Sequence, residues 1–568
     1  MRIADKRKSL AVSLLLNAGV MLLFRFCMVP VFETNDDMAI MGIVNGTRGK
    51  LDIHAIQHFL LGLLYKSLYS ITCSVSWYSV CQYLFLMLAF SAVCYVLIRR
   101  AGTHAGIGIW LVITSFFAPQ CYGMMQYTKA AGILTCSGIF MLFHSVAGDD
   151  TKKISPAECA AGFILALTGS MYRYDEFLSS GMLMTGIGVY LLLLLCGEEK
   201  SAVFKKIMHY VLVFGALFLT AFLLKKADTS FYSSDERWSY YREYNDLRAQ
   251  LQDYGFPDYE MNREAYEALG INEDAYDLYS GWNQFDPDKL DAETMRSLIA
   301  LKEERKFTGQ VVKDYFREMP SFFMNNRMCR CFLMMLAVLL FVVYRGRKKH
   351  RWKVFAAAAW QFLLFGMLYL YLFYKGRYTM DRIAVGYWFA MILFASWIIT
   401  EFSFAFRTEE GQRALLILGG IAFGFYSSYW LDALPSSRRD VLKIRENQRR
   451  ILTEMSQDKE HLYLRKAGLL VNDQCFGPFD AQDFGFQDNL GLLGGWICSV
   501  PVQLDVLEKY GVRNPYRDMI DNDRVLLVDN HIEETLRYLQ AYYAPDVKAE
   551  EVRKYGQIRV YRIVTEGA

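Results

Sequence analysis

The segment HAIQHFLLGLLYKSLYS occupies residues 54–70, and its placement decides the fold. It is apolar enough to be taken for a membrane crossing. Counted as one, it would invert every later loop and move the basic stretch RGRKKHRWK (345–353) to the face of the acidic loops. The segment is therefore expected to lie on the outer membrane surface as an amphipathic helix.

The rest of the chain supports a membrane setting. Of 568 residues, 54% are hydrophobic, 15% aromatic and only 21% charged, a balance soluble domains seldom show. The apolar residues fall in long blocks, the layout of a polytopic membrane protein. About eleven spans are expected, near 9–30, 77–98, 105–119, 124–146, 157–172, 178–196, 207–224, 324–344, 353–374, 383–400 and 414–430. The first lacks a small-residue cleavage site and is expected to be retained.

Lys and Arg in short loops set the orientation. MRIADKRK at the start, RR at 99–100, KK at 152–153, KKI at 205–207 and RGRKKHRWK all fall on one face. That face is expected to be cytoplasmic, with the N-terminus inside. Three regions then face outward: the loop 31–76, an insertion at 225–323, and everything from 431. The organisation read from this is a membrane module over 1–224 carrying the first outer loop, a mainly helical extracytoplasmic insertion (225–323), further membrane helices (324–430) and an extracytoplasmic α/β domain (431–568). In the last, RVLLVD (524–529) and IRVYRIV (558–564) have strand patterns, and HIEETLRYLQAYY between them is helical. No internal repeat appears.

The net charge of +3 argues against a nucleic-acid partner. The twelve cysteines sit mostly in apolar runs, as Cys27, Cys81, Cys94 and Cys136 do, and no zinc-ligand spacing occurs. Cys475 and Cys498 share a soluble region, where a disulfide is one reading.

Ionisable residues beside apolar segments need a reason. At the outer ends of the expected spans stand Arg25, Glu33, Asp36, Asp37, Asp52, His54, Lys129, Arg173, Asp175, Glu176, Lys375, Arg377, Asp381 and Arg382. Long cations at span ends snorkel readily, but an adjacent carboxylate pair such as Asp36 and Asp37, in FETNDDMAIMGIVNG (32–46), does not. The carboxylates of GDD (148–150) sit in a polar loop with TKK and read as a solvated turn.

A first span, an outer loop opening with TNDD, and the amphipathic HFLLGLLYKSLY together resemble the GT-C fold glycosyltransferases, which include the protein O-mannosyltransferases and the aminoarabinose transferases of lipid A. The resemblance covers about 9–430 and extends to bacterial relatives of unknown acceptor. It implies a multi-pass protein of the cytoplasmic membrane. Such an enzyme moves a sugar from a polyprenyl-phosphate donor, held in membrane lipid, to a cell-envelope glycan, lipid or protein. QYTKAAGI (126–133), MYRYDEF (171–177) and KGRYTMDRI (375–383) stand where such enzymes contact the donor phosphate. The insertion and the α/β tail depart from the pattern.

The chemistry of that reaction assigns the residues. A carboxylate must accept the acceptor's proton, and cations must stabilise the departing phosphate. Asp36 or Asp37 is the base, the other orienting it or sharing a divalent cation, Mg or Mn, with it; Asp37 is expected to be the more sensitive to mutation. Arg173, Arg377 and Arg382 are phosphate ligands because guanidinium meets phosphate bidentately. Lys129 is a point-charge alternative, and His54 positions the carboxylates or touches the phosphate. Rival readings are a lipid-linked glycan flippase or transporter, which predicts charges in mid-span, an envelope polysaccharide polymerase or ligase, which needs no acidic pair after the first span, and a glycan-binding scaffold, for which eleven spans are excessive.

Overall fold

The computed structural model describes every residue except 1–4, 148–154, 197–198, 304–305, 346–347, 402–407, 433, 468, 470–474 and 567–568. The GDD turn and the basic KK at 152–153 lie outside the described residues, as do parts of MRIADKRK and RGRKKHRWK.

Helices form at all the expected spans: Lys6–Cys27, Trp77–Ala101, Thr103–Ala118, Tyr127–Val146, Pro156–Tyr172, Tyr174–Leu194, Lys200–Ser233, Arg327–Arg345, Lys348–Tyr374, Asp381–Glu401 and Glu409–Asp432. Among the described residues, eight helices are individually long and apolar enough to cross a membrane. A ninth qualifies if the pair Gly309–Asn325 and Arg327–Phe341, bent by 84°, counts as one span. Pro156–Tyr172, at 17 residues, and Glu409–Asp432 do not qualify on length and composition alone. Lys200–Ser233 runs past the expected boundary at 224. The protein is a polytopic helical membrane protein with an α/β domain at its C-terminal end.

The segment that decided the topology forms only the 13-residue helix Phe59–Ile71. At ~1.5 Å per residue this is far short of a ~30 Å hydrocarbon core. Leu61, Tyr65 and Tyr69 are buried, whereas Leu60, Leu63, Leu64 and Ile71 are exposed, which leaves an apolar face for a membrane surface.

The chain divides into two compact units. The first comprises Met1–Glu33, Tyr78–Ala227 and Phe307–Arg439 and contains most of the long helices. Small residues let these helices touch backbone to backbone. A Cβ on Gly108 would collide with the Leu415 carbonyl oxygen, and one on Gly138 with the Ala166 nitrogen. Two strands, β1 (Val31–Phe32) and β2 (Met124–Met125), pair in parallel.

The second unit gathers Thr34–Trp77, Asp228–Lys306 and Asp440–Ala568. These are essentially the three regions expected on the outer side. Its centre is a five-stranded sheet of β3 (Leu462–Arg465), β4 (Leu490–Leu492), β5 (Val525–Asp529), β6 (Val547–Tyr555) and β7 (Ile558–Thr565). The spatial order is β4-β3-β5-β7-β6. β3 is parallel to β4 and β5, while β7 is antiparallel to β5 and β6.

Alternation along the strands sends successive side chains to opposite faces. Leu462, Leu464, Val525, Leu527, Tyr561 and Ile563 pack with the insertion, including Tyr244, Leu251, Tyr266, Leu278, Phe285 and Met295. Tyr463, Leu490, Leu526, Val528 and Val560 pack with Ile451, Leu452 and Met455, and with Met38 of the first loop. Cys498 belongs to the first cluster and Cys475 to the second, and both are free. The sheet lies between them, so the disulfide reading is wrong.

The insertion is joined to the tail by Asp286, which is fully buried. It accepts hydrogen bonds from Tyr538 Oη (2.5 Å), Tyr543 Oη (2.6 Å) and Asn514 Nδ2 (2.8 Å), and from the backbone N–H groups of Asp288 and Lys289. Asp286→Ala leaves several buried donors without an acceptor. We expect this to destabilise the second unit by about 3 kcal/mol or more, seen as a lowered melting transition of the purified protein. An unchanged transition would show that the contact is dispensable.

Candidate functional site

The acidic pair lies in the first turn of the helix Asn35–Val44. Two carboxylates there suit the positive end of the helix dipole. Asp37 is fully buried, while Asp36 is only partly so. Trp496 Nε1 donates to Asp36 Oδ1 at 3.0 Å, and Thr34 Oγ1 approaches Oδ2 at 3.5 Å. The indole thus fixes how Asp36 presents its second oxygen.

His54 sits in the loop that follows, with no exposed surface. Its Nδ1 accepts from the Gln57 backbone N–H at 3.4 Å, and its carbonyl accepts from Tyr232 Oη at 2.6 Å. The ring stacks on Tyr65 at 6.3 Å between centroids. With Nδ1 accepting, the proton belongs on Nε2, which is buried with no acceptor among the described residues. Burial holds the imidazole pKa down at about 3. His54 is therefore neutral, a hydrogen-bonding group rather than the cation a phosphate would favour. Nearby, burial raises the Asp52 carboxyl above its ordinary range, while the Ile53 N–H at 2.9 Å opposes that effect.

The cations expected for phosphate belong to the first unit. The pairing of β1 with β2 carries Glu33 to the start of the helix Tyr127–Val146, where the Glu33 N–H bonds Met125 O at 2.9 Å. Lys129 is almost fully buried, and its Nζ lies 2.6 Å from Glu33 Oε2 and 3.0 Å from Gln120 Oε1. Its charge is already answered. Arg173, between the helices Pro156–Tyr172 and Tyr174–Leu194, donates to Thr128 Oγ1 at 3.0 Å and lies 5.9 Å from the Tyr127 ring centroid.

Arg377 and Arg382 share one neighbour. Lys348–Tyr374 ends with Gly376 at φ +67, the Arg377 N–H bonding Leu372 O and the Gly376 N–H bonding Phe373 O. This is the glycine-terminated cap that stops helices and turns the chain. The turn brings both guanidinium groups to 3.8 Å from Met380 Sδ.

Some participants carried no signal in the sequence. Trp496 is 460 positions from the carboxylate it holds, and neither the Lys129–Glu33 pair nor the role of Gln120 follows from a motif. Glu176 was visible as an ionisable residue, but not its buried hydrogen bond from Ser180 Oγ at 2.6 Å. Among the described residues no three His, Cys, Asp or Glu side chains cluster as metal ligands.

No family model matches this chain, and no curated protein matches it. Among solved structures it is similar to ArnT from Cupriavidus metallidurans bound to undecaprenyl phosphate. The identity is 12%, the coverage 96% of this chain and 97% of that one, and the TM-score 0.39. The apo state of the same protein gives 9% identity, 97% coverage of each chain and a TM-score of 0.38. The likeness is one of extent along the chain rather than of close superposition.

The neutral His54 generates a pH dependence. Above about pH 6.5 the ring is neutral folded or unfolded and has no effect. As pH falls from there toward 3, the unfolded chain takes up a proton that the folded one refuses, so stability declines by up to about 1.4 kcal/mol per pH unit. In melting curves between pH 7 and 4, His54→Gln should flatten that decline. An unchanged slope would mean the ring protonates in place.

Proposed function

We propose that the protein is a GT-C type glycosyltransferase that moves a sugar from a polyprenyl-phosphate donor to a cell-envelope acceptor at the outer face of the cytoplasmic membrane. The observation that carries this reading is the acidic pair opening the Asn35–Val44 helix directly after the first long helix, with one carboxylate oriented by Trp496. Of the two, Asp36 is assigned as the base, reversing the expectation from sequence. It is partly accessible and oriented, whereas Asp37 is buried.

In this mechanism Asp36 accepts the proton of the acceptor hydroxyl or amine. The freed lone pair attacks the anomeric carbon, and the bond from that carbon to the phosphate oxygen breaks. The lipid phosphate leaves carrying the extra negative charge. Arg377 and Arg382, drawn together by their turn, and Arg173 are assigned to that phosphate, where bidentate guanidinium contacts act on charge as it develops. Lys129, balanced by Glu33, is assigned to holding its corner of the fold. Any divalent cation would be held by Asp36 and Asp37, and no step is routed through it.

Two results test the assignment. In a sugar-transfer assay at matched protein levels, Asp36→Asn should lose at least about 10²-fold in kcat, the usual scale for a general base. Asp37→Asn should lose less turnover and more thermal stability. Near-full activity in both variants would remove the pair from the catalytic machinery. Arg382→Lys should fail to rescue turnover, because lysine keeps the charge but loses the fork; if Lys works as well as Arg, charge alone suffices at that position.

The orientation is part of the proposal. A cysteine introduced near Asn530 should react with an impermeant thiol reagent in intact cells, and one near Arg351 should not. The reverse pattern would place the acidic pair on the cytoplasmic face.

A further inference from the structure

Trp282, in the second unit, occupies a backbone position that rarely carries a tryptophan. The helix Glu273–Ser280 closes with the Asn283 N–H bonding Leu278 O and the Trp282 N–H bonding Tyr279 O, both at 3.1 Å. This closing motif puts the first residue past the helix in the left-handed region, a place that glycine ordinarily fills. Here that residue is Trp282, at φ +69. A bulky side chain is costly in that region. Burial does not offset the cost, because the indole is 41% exposed. A strained residue held at the surface points to a use for its ring.

The turn that carries the ring is firmly held. Tyr516 Oη donates to Asn283 O at 2.7 Å, and the Phe285 N–H donates to Leu493 O at 2.8 Å. The guanidinium of Arg248, itself buried, lies 5.7 Å from the Trp282 ring centroid, an attraction that steadies the indole. Arg248 belongs to the helix Glu236–Gln252, and Tyr244 and Tyr240 precede it on the same face. Tyr244 Oη donates to Gln284 O at 3.1 Å, and the exposed Tyr240 stacks on Tyr244 with 6.1 Å between centroids. The segment after β4 runs past the same turn. Gly494 comes so close that a side chain there would collide with the Trp282 carbonyl. Two residues further on is Trp496, half-buried against the cluster that holds Trp238 and Tyr241 of the helix Glu236–Gln252, with its Nε1 on Asp36. The rings of Tyr240, Trp282 and Trp496 are thus tied to one stretch of the second unit, and that stretch ends at the carboxylate assigned as base.

We propose that Trp282, Tyr240 and Trp496 form a platform for the acceptor, and that the acceptor is a carbohydrate chain presenting a sugar hydroxyl to Asp36. The inference rests on the transferase reading above and narrows its acceptor to a glycan. A pyranose has C–H faces that lie flat on an aromatic ring and a rim of hydroxyls that need polar partners, and indole and phenol side chains supply both. A lipid chain would call for an aliphatic groove, and an extended peptide for an open strand edge. Rings already locked in place lose little conformational freedom when a sugar settles on them.

The test uses the purified full-length protein in detergent, titrated with envelope oligosaccharides freed of lipid and protein and followed by calorimetry and tryptophan fluorescence. Wild type should bind saturably. Trp282→Gly should weaken binding about tenfold or more, yet keep a cooperative melting transition, because glycine suits the left-handed turn. Trp282→Tyr, which restores an aromatic face, should recover part of the binding. Phe484→Ala, which removes an exposed ring ahead of β4, should leave it intact. In the sugar-transfer assay Trp282→Gly should raise the acceptor KM about tenfold without moving the donor KM. The platform is overturned if wild type binds no oligosaccharide, if Trp282→Gly binds like wild type, or if only the lipid or the protein fraction of the envelope binds. The two readings fail separately. Oligosaccharide binding that needs Trp282, in a protein that transfers no sugar, keeps the platform and ends the transferase reading. Transfer with an unchanged acceptor KM in Trp282→Gly keeps the transferase and ends the platform.

Discussion

The second unit depends on one buried carboxylate. Asp286 comes from the insertion, and its side-chain donors Asn514, Tyr538 and Tyr543 come from the tail. A carboxylate without solvent must be surrounded by donors, so the insertion can settle only where those three side chains meet. Tyr538 is further tied to Tyr279 of the insertion at 2.6 Å. Given this anchor, the insertion's apolar side chains close over one face of the sheet and form a single core with it. The other face is left for the helix ending at Gln457 and for Met38, two residues after Asp36.

That arrangement explains why the acidic pair is held so firmly on a short loop. The Asn35–Val44 helix is gripped at Met38 by the sheet, at Ile43 by a cluster with Trp238, Tyr241, Val500 and Val502, and at Asp36 by Trp496. A general base works from a fixed position, and Asp36, proposed here for that role, is held by residues from the insertion and the tail. Neither segment then needs an activity of its own to be part of the enzyme proposed here. In the first unit, the cations divide in the same physical way. Lys129 is buried and neutralised, whereas Arg377 and Arg382 lie in a turn whose geometry follows from Gly376.

Much of this was legible in the sequence, for identifiable reasons. Membrane helices are long apolar runs, so each expected span corresponds to a helix, and the Lys/Arg asymmetry kept 54–70 out of their number. RVLLVD and IRVYRIV were legible as strands because each runs five residues or more and is β-branched, and they appear as β5 and β7. β3 and β4 were not, since four and three residues are too few to show a period. The face each cysteine occupies depends on strand register, which composition does not carry, so the sequence left a Cys475–Cys498 disulfide open that the sheet between them excludes. The surroundings of Lys129 were illegible for a related reason. Its neutralising partner, Glu33, is distant in sequence and arrives through a two-residue strand pairing. Exposure, which separates Asp36 from Asp37, is likewise a property of the folded helix and not of two adjacent identical letters.

The central claim is that the sugar arrives on a lipid phosphate rather than on a nucleotide. It is tested most directly by giving the purified protein, in nanodiscs with an envelope extract as acceptor, the same labelled sugars as polyprenyl-phosphate donors and as nucleotide donors. The account predicts that label moves only from a lipid-linked donor, with release of one polyprenyl phosphate per sugar transferred. Transfer from the nucleotide donor, or sugar movement across the bilayer with the lipid-phosphate bond intact, would contradict it.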